Sequence, residues 1–375
     1  MTQVTLNNVP KKTERLASML GNNGKDVSFI PASLEIEVYD WDAVTNKELT
    51  ELRKIVPKVD QHYRFRKEVV RDWLAWFKVS QEALFLHGPT GSGKSSFMKQ
   101  ICARLGIPLF QMTFSNDTEL AEVFGHYVLG ANGETVFRYG PASLAAKYGC
   151  PVMFDEIGRG NPSTVVGLNG LFDEGAPFVI TGNGETVVPE QGFRIVVTDN
   201  TNLAGDESGS YSTAMVQDKS IVDRVGMVIQ VGYPAEEERE LLSELLNELA
   251  PDDKALLYWF DQEGLQVSTA AGVRKGTAVS RDDFIEGILQ VRDMIRKQSR
   301  DCGNQDANAL ERTMSVRTLK RWMSYCIAFI GAPNMGQSAL HYAVERALTG
   351  TCTPSTKIAI HAMVKSVFGV SETLK

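Results

Sequence analysis

Short apolar runs recur through the middle of the chain, at Ala83–His87, Leu109–Phe114, Pro151–Phe154, Ile195–Thr198 and Met227–Val231. Helical stretches separate them. Strands that are apolar along their whole length and alternate with helices predict a parallel sheet with crossover helices. After Tyr233-Pro234 the strands are expected to stop. Glu236–Leu249 sets Leu241, Leu242, Leu245, Leu246 and Leu249 on one face, with Glu236–Glu238 at its electrostatically favoured N-terminal end. The same spacing recurs at Phe284, Ile288, Val291 and Ile295, and at Leu319, Trp322, Cys326 and Phe329. Residues 234–375 therefore read as a helical domain with these stripes as its core. Residues 1–55 read as a leader of unknown role, with turn signals at Gly21–Gly24 and Ile30-Pro31 and a helical pattern only at Asn46–Ile55. The tetrapeptide Asn-Gly-Glu-Thr occurs at 132–135 and again at 183–186, each time between β-prone residues, and each predicts a tight hairpin.

Composition narrows the class without naming it. Of 375 residues, 43% are hydrophobic and 23% charged, which excludes a disordered or collagenous chain. No apolar run approaches the roughly 20 residues that span a bilayer. The N-terminal stretch lacks the basic-then-apolar order of a signal peptide. A net charge of −7 argues against a protein that lives on nucleic-acid phosphates. The five cysteines are widely spread and include no C-x-x-C pair, and the histidines show no H-x-x-x-H spacing, so a structural zinc site is not expected. A cytoplasmic protein is the expectation.

The chemistry begins at Gly88-Pro89-Thr90-Gly91-Ser92-Gly93-Lys94-Ser95, which fits G-x-x-x-x-G-K-[ST]. It follows an apolar strand and opens a helix with Phe97, Met98, Ile101 and Leu105 inward. Glycines let backbone N–H groups turn toward phosphate oxygens, and the helix presents its positive end to the same anion. Lys94 can reach the β- and γ-phosphates, and the Ser95 hydroxyl can ligate Mg²⁺. About 60 residues on, a second apolar strand ends in Asp155-Glu156. The first carboxylate suits the metal shell, and the second suits a water in line with the γ-phosphate. A third strand ends in Thr198-Asp199-Asn200-Thr201-Asn202. Strand C-termini line the ligand crevice of a parallel sheet, so Asn200 can hold the attacking water, with Thr198 and Asn202 as local competitors. Arg224, before the last strand, and Arg317, at the start of a helix with Ser315 as its expected N-cap, read on residues alone either as surface ion pairs or as functional cations.

The order P-loop, Asp-Glu strand, strand-end Asn, Asp-Arg, and helical lid with Ser-x-Arg resembles the AAA+ ATPases. Val56–Phe65, Gly133–Glu156, Phe193–Arg224 and Met314–Trp322 are similar to the MoxR-like branch, and closest to its CobS group. The resemblance covers about residues 56–370 and is loose in the lid. It implies an α/β P-loop AAA+ core at 56–233, with a parallel sheet and helix-2 and hairpin inserts, and a C-terminal all-helical lid at 234–375. It implies Walker A at Gly88–Ser95, Walker B at Asp155 and Glu156, and sensor 1 at Asn200. Arg224 would be an arginine finger acting on the neighbouring subunit, and Arg317 a sensor 2 acting within its own subunit. The expected cofactors are ATP or ADP with Mg²⁺. The expected assembly is a homo-oligomeric ring, a hexamer, that remodels a partner protein of the von Willebrand A type or a chelatase subunit. Nucleic acid and membrane are not expected partners; an MCM-like nucleic-acid motor is the alternative. Asp199 departs from the family pattern, since a carboxylate beside phosphates is repelled, and it is expected to point away. Arg159 is expected either in a salt bridge or at a neighbouring subunit.

Overall fold

The computed structural model describes residues 4–203, 205, 214–234, 236–269, 272–302, 304, 306 and 309–373. Part of the Phe193–Arg224 stretch, which carries the family resemblance, lies outside them. The chain divides into two compact units. The first runs to Gly88, resumes at Gly93 and closes at Gly232; the second begins at Tyr233 and also takes in Pro89–Ser92.

In the first unit, β1 (Lys11–Arg15) pairs antiparallel with β2 (Glu35–Tyr39). Helix α1 (Lys67–Val79) precedes β3 (Ala83–His87), and α2 (Lys94–Leu105) follows it. Next come β4 (Phe110–Thr113), the hairpin β5 (Gly125–Leu129) and β6 (Thr135–Tyr139), α3 (Pro141–Tyr148) and β7 (Pro151–Asp155). A second hairpin, β8 (Phe178–Ile180) with β9 (Glu185–Val187), leads to β10 (Arg194–Asp199) and β11 (Val225–Gln230). Both Asn-Gly turns thus form hairpins. Five strands make one parallel sheet in the order β11-β3-β10-β7-β4.

Alternation within the strands explains why their sequences are apolar throughout. Leu84, Leu86, Met153 and Val196 face one way, into a core shared with Trp73, Trp76, Phe97 and Ile101. Ala83, Phe85, Val152, Phe154, Ile195 and Val197 face the other way, onto Ala142, Ala145, Ala146 and Leu168. With both faces covered, the inner strands β3, β7 and β10 leave no position for a polar residue until the strand ends, whereas the edge strands β4 and β11 alternate, with Gln111 and Val228 exposed.

Residues 4–55 belong to the first unit. Leu16, Ala17, Leu20, Ile30 and Val38 are buried in the same core as Trp73 and Phe97, and Leu6, Val9, Trp41, Leu49 and Leu52 bury Cys150. Polar bonds add to this packing. The Arg104 guanidinium, 8% exposed on α2, donates to the carbonyls of Met19 (3.2 Å), Gly21 and Asp60 (3.3 Å) and to Asn22 Oδ1. Gln100 Oε1 accepts from Asp60 N at 2.8 Å while its Nε2 donates to Lys58 O at 3.0 Å.

The second unit contains α4 (Glu236–Leu249), α5 (Asp253–Glu263), the hairpin strands β12 (Gln266–Thr269) and β13 (Gly272–Lys275), α6 (Arg281–Gln298), α7 (Val316–Ala328), α8 (Ala339–Ala347) and α9 (Pro354–Phe368). The leucine and aromatic stripes supply its core, with Leu242, Leu246, Trp259, Phe260, Phe284, Ile288, Trp322 and Phe368 clustered together, but Leu249, at the last turn of α4, is exposed. The strands do not all stop at Tyr233, because β12 and β13 pair antiparallel over Gln266–Lys275. Val267 of this pair is buried in the core, and β13 is exposed along its length. So short and polar a hairpin leaves almost no periodic signal. Glu238, 1% exposed, is held by Arg292 Nη1 at 2.6 Å and by Arg296 at 2.6 and 2.9 Å. Pairing of this kind is what permits a charge in a core.

Arg104→Met keeps the bulk of the side chain but leaves several carbonyls without their donor. It should cost about 2–4 kcal/mol, read as a lower urea midpoint, and should speed proteolysis within residues 20–60. Unchanged unfolding and digestion would show that apolar packing alone holds the N-terminal segment.

Candidate nucleotide-binding site

Three parallel strand ends and one helix start converge here. Strand β3 delivers the glycine loop, and α2 opens directly behind it. Gly88 must be glycine: a Cβ there would lie 2.3 Å from the carbonyl oxygen of Val231, just past β11. Gly93 sits at φ 97°, a left-handed conformation that only glycine adopts without strain, and it supplies no side-chain cap to α2. The first turn of α2 also carries no acidic residue. A helix start with neither a side-chain cap nor an acidic residue is suited to an anion.

Lys94 is 7% exposed. Its ammonium donates to Gly88 O at 2.7 Å and to Asn200 Oδ1 at 2.9 Å. Burial pushes its pKa down to about 8, against the opposing pull of Asp199, Asp155 and Glu156. Burial also lowers the pKa of His87, at the end of β3, with Lys94 adding to the effect. Ser95 Oγ donates to Asp155 Oδ1 at 2.6 Å, and Thr198 Oγ1 donates to the same oxygen. Asn200 Nδ2 in turn donates to Glu156 Oε1 at 3.3 Å. The P-loop lysine and serine, the Asp-Glu pair and Asn200 therefore form one hydrogen-bonded set across β3, β7 and β10.

Glu156 adopts φ 57°, uncommon for a residue with a side chain. This turns the chain sharply after β7, and Arg159 Nη1 then reaches Glu156 Oε2 at 2.8 Å. Of the two roles open to Arg159, the structure has the ion pair within the chain. Asp199 is 2% exposed, and its charge acts on the nearby Lys94. It accepts from Gly158 N at 3.0 Å, Thr201 N at 2.8 Å and Thr201 Oγ1 at 2.5 Å. Those bonds fix the turn that carries Asn200.

The two arginines are elsewhere. Arg224 Nε pairs with Asp173 Oδ1 at 2.9 Å and Nη1 donates to Ser220 O at 2.9 Å, with about a third of the side chain exposed. Arg317 is exposed in the first turn of α7, in the second unit, where Ser315 caps the helix by accepting from Thr318 N at 3.1 Å. Sequence reasoning missed two members of the site. Thr198 was weighed only as a rival to Asn200, but its hydroxyl serves Asp155. Arg66, before α1, lies near Gly93, its Nη2 3.7 Å from where a Cβ would stand, and it donates to Gly232 O at 2.5 Å. A basic residue closing the segment before α1 was the available signal.

Comparison with known proteins agrees with this geometry. Residues 83–216 match the profile of the AAA domain, dynein-related subfamily. NorQ of Paracoccus denitrificans is 34% identical over 117 residues, 31% of this chain and 43% of that protein. CbbQ of Hydrogenophilus thermoluteolus is 29% identical over 154 residues, 41% of this chain and 54% of that protein. The aerobic cobaltochelatase subunit CobS of a Sinorhizobium species is 23% identical over 192 residues, 50% of this chain and 58% of that protein. The chain thus spans about half the length of these relatives. No described helix is long and apolar enough to cross a membrane. Residues 83–216 thus match an AAA domain, and that part of the chain is similar to the MoxR-like AAA+ ATPases NorQ and CbbQ, with CobS among them at lower identity.

Proposed function

We propose that this chain binds Mg-ATP at Gly88–Ser95 and uses hydrolysis, in a ring of identical subunits, to remodel a partner protein. The observation that carries the proposal is the bonded set joining Lys94, Asn200 and Glu156 on one side and Ser95, Asp155 and Thr198 on the other. Lys94 supplies the cation for the β- and γ-phosphates. Asn200 and Glu156 are joined side chain to side chain, the arrangement needed to orient a water and accept its proton. Ser95 Oγ and the Asp155 carboxylate are hard oxygen donors 2.6 Å apart and fit Mg²⁺, which they would hold. When bound, the ion bridges phosphate oxygens and offsets their charge.

Arg224 bonds to none of Lys94, Asp155 or Glu156, which supports a role on a neighbouring subunit's ATP. Charge in the transition state is then stabilised only when subunits dock correctly. Arg317 is proposed, from the family resemblance, to sense the γ-phosphate. A hexamer and a partner of von Willebrand A type, or a chelatase subunit, rest on the same resemblance; cobalt insertion is named for one relative and is not proposed here. The net charge of −7 and the hairpin tips Gly130–Glu134 and Gly182–Glu185, which carry no lysine or arginine, favour a protein over a nucleic-acid substrate.

Glu156→Gln should retain ATP binding and lose turnover by at least about 100-fold, whereas Lys94→Ala should lose binding. Wild-type turnover in Glu156→Gln would remove the water-activating role. The lowered pKa of Lys94 has a sign that can be read directly. Above about pH 8 the free amine is neutral, and phosphate binding restores its proton. ATP affinity should fall as pH rises through 8, and calorimetry at pH 8.5 in two buffers of different ionisation heat should show proton uptake. Identical heats in both buffers would contradict it. Finally, mixing Arg224→Ala with Glu156→Gln subunits should restore phosphate release at rebuilt junctions. A finger is worth ~10³–10⁵ in rate, so a few such junctions suffice. Flat activity at every ratio, with assembly and subunit exchange verified, would remove Arg224 from that role.

A further inference from the structure

The second unit holds a polar cluster that ATP hydrolysis does not use. His341, the third residue of α8, and His361, on α9, are 3% and 4% exposed. Their rings stack with centroids 5.0 Å apart, and their Nδ1 atoms face each other at 2.8 Å. Glu372, from the chain after α9, brings Oε1 to 3.3 Å from His361 Nδ1. Among the described residues this is the group in which three potential metal ligands come together, all within 4.8 Å of one another.

The remote nitrogens decide what the facing ones can do. His341 Nε2 lies 3.1 Å from Val370 O, which can only accept. Nε2 therefore carries the proton, and in the neutral ring Nδ1 presents a lone pair. His361 Nε2 lies 3.1 Å from Thr349 Oγ1, which can donate or accept. Two arrangements follow. In one, Thr349 donates to Nε2, and the His361 proton sits on Nδ1 and is shared with His341. In the other, that proton moves to Nε2 and Thr349 accepts it. Two imidazole lone pairs and a carboxylate then converge with no proton among them, which calls for a cation. Passage between the arrangements releases no proton, since the His361 hydrogen only changes nitrogen.

We propose that His341 Nδ1, His361 Nδ1 and the Glu372 carboxylate bind a divalent transition-metal ion, Zn²⁺ by ligand type, and that the ion fastens the C-terminal segment to α8 and α9. Two imidazoles and a carboxylate suit zinc, with water completing the four-fold shell. Backbone and hydroxyl partners on the remote nitrogens are the outer shell that orients such ligands. Two nitrogens on one tetrahedral zinc stand about 3.3 Å apart, given bonds of about 2.0 Å. Binding thus opens the 2.8 Å pair by about half an ångström, which small ring rotations supply. Burial lowers the pKa of both rings, and the neutral ring is the form that ligates. The segment to be fastened is already in place: Ser338 N donates to Glu372 O at 3.1 Å, and Gln337 bridges Thr373.

The test uses the full chain, stripped with EDTA and kept free of nucleotide in excess Mg²⁺. It is titrated with Zn²⁺ against a chromophoric chelator, and with Co²⁺ followed by visible absorption. The expected result is one ion per chain, a Co²⁺ spectrum without thiolate charge transfer, and a Tm raised by Zn²⁺. Glu372→Gln should weaken binding at least tenfold, and His361→Gln should abolish both binding and the Tm rise. Glu372 is exposed, so its variant decides the matter even where the buried substitution fails to fold. Absence of stoichiometric binding in the parent chain, or unchanged affinity in either folded variant, overturns the site.

Discussion

One buried ammonium group organises the first unit. Lys94 is almost wholly enclosed, and a cation so placed is tolerated only where donors and charges around it are arranged to hold it. Gly88 O and Asn200 Oδ1 take two of its hydrogens, and Asp199, Asp155 and Glu156 supply the opposing field. Those partners come from the ends of β3, β10 and β7. The parallel register of these three strands is therefore the condition for the lysine to exist where it does. The depressed pKa records that burial outweighs the carboxylates in the absence of phosphate.

The polar residues around it are spent on position. Thr198 and Ser95 both donate to Asp155, so its carboxylate has one orientation. Arg159 and Asn200 grip the two oxygens of Glu156, whose left-handed backbone turns it out of line with the strand. Asp199 is the position where the sequence breaks the family pattern. Its carboxylate accepts from two backbone N–H groups and a hydroxyl, which holds the turn bearing Asn200.

The second unit solves a similar problem with different groups. Glu238 is paired with Arg292 and Arg296. Glu263 is buried and raised in pKa, yet it accepts from Trp259 Nε1 at 2.9 Å and from Ala339 N at 3.1 Å, so it also caps the start of α8. The buried histidine pair, with the exposed Glu372 beside it, is a further polar cluster of this unit, whose facing atoms are balanced by a proton in one tautomer and by a cation in the other.

What the sequence determined by itself was local. The glycine loop, the apolar runs of β3, β7 and β10, the two Asn-Gly hairpins and the leucine and aromatic stripes of α4, α6 and α7 each depend on residues a few positions apart, where backbone sterics and side-chain period suffice. Lys94, Ser95, Asp155, Glu156 and Asn200 were legible because each stands at a strand end or helix start fixed by such patterns. Tertiary structure decided the rest. The strand Lys11–Arg15 has no apolar residue, so only its pairing with Glu35–Tyr39 makes it a strand, and only Arg104 and the Trp73 core make residues 4–55 part of the first unit. Nothing in the spacing of Thr198 and Asp155, Arg224 and Asp173, or His341, His361 and Glu372 foretells their contact. Such pairs are chosen by how helices and strands pack, a constraint spread over the whole unit and absent from any short window of the chain.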